Sequence, residues 1–320
     1  MFCNQRKISG LDRPVSVESL RVSVDKIISD VTDTHPIEVA LYGGSFTALS
    51  VELQNEYLGA FLPLIRERPD SLIRVSTRPD CIDFDTVERL KSFGVKVIEL
   101  GAQSMCDDVL LLSKRGHCAK DVVCASEVIR SSGVSLILQM MTGLFGDTAE
   151  KSVFTAMEFV RLRPDGVRIY PAVVVRDTVL YDLWESGVYE EHSVSDAVRI
   201  CARLCVIFDE ADIPIIRLGL NPTDELSGGQ AVAGAYHPAL GELVYSRVCL
   251  DMAMGLLDGV EPGSNVVIAV SQGFMSKMVG MRRGNVKLLI DKFSLGSLKV
   301  VESNIAKTSR NRPGMVVSRE

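Results

Sequence analysis

The chain has 320 residues, 47% apolar and 24% charged, with a formal net charge of −6 and eight cysteines. That length and apolar fraction can bury one large core and a smaller one. No apolar run approaches the roughly 20 residues that span a bilayer. Polar Asn4, Gln5, Arg6 and Lys7 stand where a signal peptide would need a hydrophobic segment, so the cytoplasm is the expected compartment and no membrane partner is expected. The cysteines show no regular framework, which argues for reduced thiols and against a secreted disulfide scaffold. Charge is uneven: residues 271–320 hold ten Lys or Arg against three acids, a net +7 that leaves −13 on the rest. Such asymmetry points to a polyanionic partner, against the plainer reading of a solvated basic face.

In chain order, apolar strand-like runs alternate with amphipathic helical patterns. Strands are expected at Ile37 to Tyr42, Leu72 to Ser76, Lys96 to Leu100, Ser135 to Met141, Gly166 to Tyr170 and Ile213 to Leu218. Helices are expected at Gln54 to Arg68, Asp85 to Phe93, Ala119 to Ser131 and Glu150 to Leu162, where apolar residues recur at three- and four-residue spacing. Gly94, Gly133 and Gly166 read as helix ends. Continuous apolar strands between helices predict a parallel sheet covered by helices, either a barrel or a doubly wound sheet.

In such folds ligands bind at the carboxyl ends of the strands. Polar or glycine-rich residues follow one strand after another there: Gly43-Gly44-Ser45, then Ser76 to Asp80, then Gly101 to Ser104. Gln139 lies within the fourth run ahead of Gly143 and Gly146, and Arg168-Ile169-Tyr170-Pro171 ends the fifth. Any one run is a common turn; five in the same topological position predict one site. Bare backbone at Gly43-Gly44 suits close approach to a ligand.

Several of these stretches resemble the radical S-adenosylmethionine (SAM) domain of the Elongator complex's catalytic subunit: Arg78-Pro79-Asp80, Glu99-Leu100-Gly101-Ala102-Gln103-Ser104, Arg115-Gly116-His117, Met140 to Leu144, and Arg168 through Tyr189. The similarity runs from about residue 2 to 190 and is weaker to oxygen-independent coproporphyrinogen III oxidase. The last third does not resemble the Elongator subunit's acetyltransferase domain. The resemblance implies a partial parallel (β/α)6-type radical SAM barrel over residues 1–220, followed by a small, partly basic α/β domain over residues 221–320.

The same resemblance implies the chemistry. Cys3, followed by Asn4-Gln5-Arg6-Lys7, resembles the last cysteine of a C-x3-C-x2-C loop that holds a 4Fe-4S cluster, which places two further cluster cysteines and a first strand upstream of Met1. Such clusters are held by thiolates. In this family the cluster donates an electron that cleaves SAM to a 5'-deoxyadenosyl radical. By resemblance Gly43 and Gly44 would take the methionine end of SAM, with Ser45 where relatives often carry an acid. Ser76 stands where a glutamate is usual, Gln103 and Arg115 match polar SAM contacts, Gln139 stands where an aspartate reaches the ribose, and Tyr170 is placed near the adenine. The implied cofactors are a 4Fe-4S cluster and SAM. The implied partners are an external electron donor and an unidentified substrate, with tRNA or other RNA leading.

Other residues read as structural. Cys201 and Cys205 share C-x3-C spacing but fall in the helical pattern Ala197 to Asp209, so they are expected as buried helix cysteines. His117 could touch substrate or cap the core. His237 before Pro238, with Glu242 five residues on, could form a substrate edge or start the helix Pro238 to Leu256, and the helix start is the favoured reading. The alternative function is a nucleic-acid-binding or scaffold protein that keeps the barrel without performing chemistry.

Overall fold

The computed structural model describes residues 1–2, 15–30, 35–223, 226–309 and 311–319. Strands β1 (Glu38–Leu41), β2 (Leu72–Thr77), β3 (Val95–Gln103), β4 (Ser135–Thr142) and β5 (Gly166–Pro171) are followed by a short β6 (Val173–Val175) and by β7 (Ile215–Leu218). Six of them form one sheet in the order β1-β2-β3-β4-β5-β7, with every neighbouring pair parallel. This is the curled parallel sheet that the continuous apolar runs predict, since helices must cover its outer face. Ile73, Val75, Ile98, Leu100, Leu136, Leu138, Val167 and Ile169 are fully buried in that outer core, alongside Val122, Phe159, Leu204 and Phe208 from the covering helices.

The helices follow their local chemistry. Asp83 caps the helix Phe84–Ser92 by accepting from the Thr86 N–H at 2.8 Å, and Gly94 follows with φ +92°. Helix Ala119–Ser131 likewise ends ahead of Gly133 at φ +71°. Two expectations are corrected. The single helix expected over Gln54 to Arg68 is two, Val51–Gly59 and Leu62–Glu67, because Pro63 has no N–H for a helix interior and sits instead in the first turn of the second. Gly166 is not a helix end. Helix Ala149–Leu162 stops at Arg163, itself left-handed at φ +50°, and Gly166 opens β5, where an added Cβ would come within 2.7 Å of Ile216 Cδ1.

Beyond β7 the chain forms β8 (Ala231–Gly234), which pairs antiparallel with β6. Helix Leu240–Leu256 then begins just after Pro238, with the Ala239 N–H donating to His237 Nδ1 at 3.1 Å. A small α/β unit closes the chain: β9 (Asn265–Ser271) lies between a parallel β10 (Ser297–Ser303) and an antiparallel β11 (Met315–Arg319). Its own core holds Val266, Ile268, Val270, Met278, Leu289 and Leu298. Helix Leu240–Leu256 serves both cores. Leu240, Val244 and Val248 belong to the large one, and Cys249, Leu250 and Ala253 to the small one. No helix among the described residues is long and apolar enough to cross a membrane.

Candidate active site at the strand ends

The inner face of the sheet is polar at one level. Arg74, Glu99 and Arg168 each interrupt an apolar strand, and period-two alternation turns them to the face opposite the buried Ile73, Ile98 and Ile169. Glu99 is 2% exposed, and a single oxygen, Oε1, gathers its neighbours. It accepts from the Tyr42 hydroxyl at 3.0 Å, from Arg74 Nη1 at 2.9 Å, and from Arg168 Nη2 and Nε at 2.8 and 3.2 Å. Arg168 Nη2 also donates to the Tyr42 hydroxyl at 2.8 Å, its guanidinium lies over the Tyr42 ring at 5.4 Å, and Nη1 donates to the Tyr170 hydroxyl at 3.3 Å. Arg74 further pairs with Glu38.

One carboxylate thus ties β2, β3, β5 and the end of β1 together. Burial of an ion is costly unless it is paired and hydrogen-bonded, and two guanidinium groups and a phenol meet this one at Oε1. Burial and the nearby Glu99 charge push the Tyr42 phenol well above its usual value. The Arg168 guanidinium is also held above its usual value: burial opposes its charge, but the Tyr170 hydrogen bond and the Glu99 and tyrosine charges outweigh it.

Tyr42 is followed directly by Gly43 and Gly44. Gly43 has φ +112°, a left-handed conformation that favours glycine. A Cβ added at either glycine would meet no heavy atom within 4 Å, so the turn faces open space. Ser45 folds back: its Oγ lies 2.9 Å from Thr77 Oγ1 and accepts from the Arg78 N–H at 3.0 Å, joining this turn to the end of β2. Ser76 stands opposite Glu99 in the β2–β3 register.

At the end of β3 the register slips between Leu100 and Gln103. Gln103 is buried and left-handed at φ +69°, an uncommon state for a residue with a side chain and one that collects at functional sites. Its Oε1 accepts from Gln139 Nε2 at 3.3 Å. Gly101 makes room: a Cβ there would come within 2.9 Å of Gln103 Nε2, while its carbonyl accepts from Arg115 Nη2 at 2.9 Å. Gln103, Arg115 and Gln139 are therefore brought together. Tyr170 joins the Glu99 cluster rather than this trio.

His117 is buried, with Nε2 3.1 Å from the Ala102 carbonyl, and burial lowers its pKa, so it acts as a neutral anchor for the β3 end. Cys201 and Cys205 are buried on helix Val194–Glu210, and desolvation pushes the Cys201 thiol up to about 12, far from a metal-binding thiolate.

Cys3 lies outside the described residues. Phe2 is placed, with the Arg115 guanidinium 5.7 Å from its ring. Among the described residues no three His, Cys, Asp or Glu side chains gather as a metal set. Sequence reasoning included Arg168 only within the fifth strand-end run and passed over Glu99 and Arg74 as site residues. The available signal was a single charge between apolar neighbours on each of β2, β3 and β5.

The radical SAM superfamily domain matches residues 1–156, and the radical SAM C-terminal domain matches residues 164–249. The chain is 26% identical over 235 residues to the tRNA uridine(34) acetyltransferase of Methanocaldococcus infernus, covering 66% of this chain and 42% of that protein. It is 29% identical over 232 residues to the Elongator complex protein 3 of Bos taurus, again 66% and 42%. The chain thus spans less than half the length of these relatives. The structure of the Methanocaldococcus infernus Elp3 lacking residues 1–46 superposes with a TM-score of 0.62 at 24% identity, covering 77% of this chain and 62% of that one, which shows a shared fold. The chain, from its first residues through the helix that joins the two cores, belongs to the radical SAM superfamily, in the group related to the radical SAM region of Elongator protein 3.

Proposed function

We propose that this protein is a radical SAM enzyme acting on RNA, tRNA being the leading substrate because the Methanocaldococcus relatives are named tRNA uridine(34) acetyltransferase. The observation that carries the reading is the set of strand ends: an open Gly43-Gly44 turn after β1, and Gln103, Arg115 and Gln139 gathered at the ends of β3 and β4, with the Arg115 guanidinium over the Phe2 ring. The turn fits SAM, since its two glycines leave a space that side chains would fill. Gly43 and Gly44 would hold the methionine end, with Ser45 and Ser76 flanking it. Gln103, Arg115 and Gln139 would supply polar contacts, Tyr170 would border the adenine, and Cys3 would be a thiolate ligand of a 4Fe-4S cluster.

When bound, the cluster and SAM supply an electron, passed on from an external donor, and a 5'-deoxyadenosyl radical. The chain's own work is positional. The Glu99 oxygen holds Tyr42, and through Tyr42 the Gly43-Gly44 backbone, while Gln103 is kept in its strained conformation by the Gln139 bond and the Gly101 gap.

Gly44→Val tests this. Gly44 has no left-handed backbone and no neighbour within 4 Å of an added Cβ, so the variant should fold with an unchanged thermal midpoint. Calorimetric titration with SAM should show at least about a ten-fold loss of affinity, about 1.4 kcal/mol. Equal affinity would remove the turn from the site. No SAM binding by the parent protein would favour the scaffold alternative.

A further inference from the structure

The acidic protein has a net positive charge over residues 271–320, and ion pairing divides the basic residues there in two. Arg312 is held by Asp209 at 2.6 Å and faces Glu210; Arg319 reaches Glu261 at 3.5 Å; Lys277 lies 3.7 Å from Glu242. Lys292 and Lys307 lie over the Phe293 and Phe274 rings. Arg282, Arg283, Lys287 and Lys299 are exposed, and among the described residues none of the four has an ion-pair partner.

Arg282 and Arg283 are displayed in an unusual way. Both are left-handed, at φ +50° and +60°, immediately before helix Gly284–Phe293. Two successive non-glycine residues in that region are disfavoured, and such strain persists only where the surroundings hold it. Here Asn285 holds it: its Nδ2 donates to the Ser246 and Lys277 carbonyls, both at 3.1 Å, and it packs so close to Gly280 that a Cβ there would meet Asn285 Cγ at 2.8 Å. The neighbours of the pair, Met281 and Gly284, line a hollow of about 400 Å³ together with Arg199 and Arg247. Those same two arginines line a second hollow of about 430 Å³ together with Arg203 and the carboxylates Asp147, Asp196 and Asp251. Arginines thus continue as a track from the edge of the small unit onto the helices that cover the barrel, there interleaved with acids. Among the described residues Arg199 and Arg247 pair with Asp196 and Asp251 on their own helices, partly exposed pairs that a phosphate can displace.

We infer that this track is a docking surface for the phosphate backbone of the RNA named above, with Arg282, Arg283 and Lys287 as its principal contacts and Arg203 at its far end. The inference deepens the proposed function by giving the substrate a second foothold outside the barrel mouth. Phosphate fits because the groups are unpaired guanidinium and ammonium donors, and the concave path suits a strand better than a flat lipid surface.

The test is fluorescence anisotropy of the 320-residue protein with a labelled single-stranded RNA across a salt series. Each phosphate contact on a single strand contributes a slope of about −0.7 in log affinity against log salt. Arg282→Ala/Arg283→Ala/Lys287→Ala should therefore flatten the slope by about 2 and weaken binding at low salt by about ten-fold or more. Lys299→Ala should change little, because alternation from the buried Leu298 turns it to the face opposite the helix. A second variant separates binding from folding: Arg282→Gly/Arg283→Gly relieves the left-handed strain, so it should melt no lower than the parent and still lose RNA affinity. No RNA binding at low salt, an unchanged slope in the triple variant, or a lowered melting point in the glycine variant with RNA affinity intact would each overturn the inference. So would capture by phosphatidylserine vesicles in place of RNA. The assay needs neither SAM nor cluster, and Gly44→Val should bind RNA as the parent does, so failure of the SAM site and failure of this surface are distinguishable.

Discussion

The two cores of this protein handle charge in opposite ways. In the large one, three strands carry a charge inward, and Glu99, Arg74 and Arg168 meet on the concave face of the sheet. In the small one, the buried side chains are apolar apart from Ser271, which accepts from the Gly314 N–H, and among the described residues no charged side chain there is buried. Two apolar layers alone would be enough to fold either unit. Interior ions add desolvation cost and are often replaceable by packed hydrophobic residues without loss of stability. Where a protein keeps them, orientation is the better explanation, and here the oriented object is the turn after Tyr42.

The largest way to break this comparison is Glu99→Ala. It would strand two guanidinium groups and a phenol around an empty site, at a cost of about 3–5 kcal/mol in chemical denaturation. The second arm is Glu99→Leu/Arg74→Met/Arg168→Leu, which removes all three ions at similar volume. It should recover most of that stability while SAM affinity stays low. Recovery of SAM affinity as well would reduce the cluster to a packing device.

A smaller effect probes the other region. Ile268→Val in the small core should cost about 1 kcal/mol through one lost methylene group, with no change in SAM binding. A shift in SAM affinity would mean that the two cores are energetically coupled.

The smallest effect is in pH. All four histidines precede residue 240, so none lies in the small unit's strands. Burial lowers the pKa of both His117 and His192. A depressed folded value means their stabilising contribution is complete above the ordinary histidine pKa of about 6.5 and is lost as pH falls through the lower folded values. Mild acid should therefore weaken the barrel first, and His117→Gln with His192→Asn should flatten that loss. Equal acid sensitivity in the double variant would assign it elsewhere.

Much of the scaffold was legible because the central parallel strands are buried on both faces, which leaves continuous apolar runs such as Leu136-Ile137-Leu138. The glycine turn, Gln103 and Gln139 were readable as unusual residues at strand ends, whereas Arg115, which follows helix Asp107–Leu112, came only from the resemblance. The Glu99 cluster was not, since its members lie 25 to 126 positions apart and only the register brings them together. The β6–β8 ribbon was also missed. Val173, Val174 and Val175 follow β5 with a single residue between, and no alternation separates them from it. The split of the helix at Pro63 was readable from the proline alone; the apolar spacing on both sides masked it.

Helix Leu240–Leu256 enters both cores, and that makes it a spine rather than a tether. Any displacement of the three-stranded sheet must be transmitted along seventeen residues of continuous helix to Val244 and Leu240, which pack beneath the barrel. A load on the basic track would therefore be felt at the foot of the large core as torque. Cutting the chain after the helix would likewise leave Cys249, Leu250 and Ala253 facing water. A shortened protein would then tend to self-associate and could not stand in for the barrel alone.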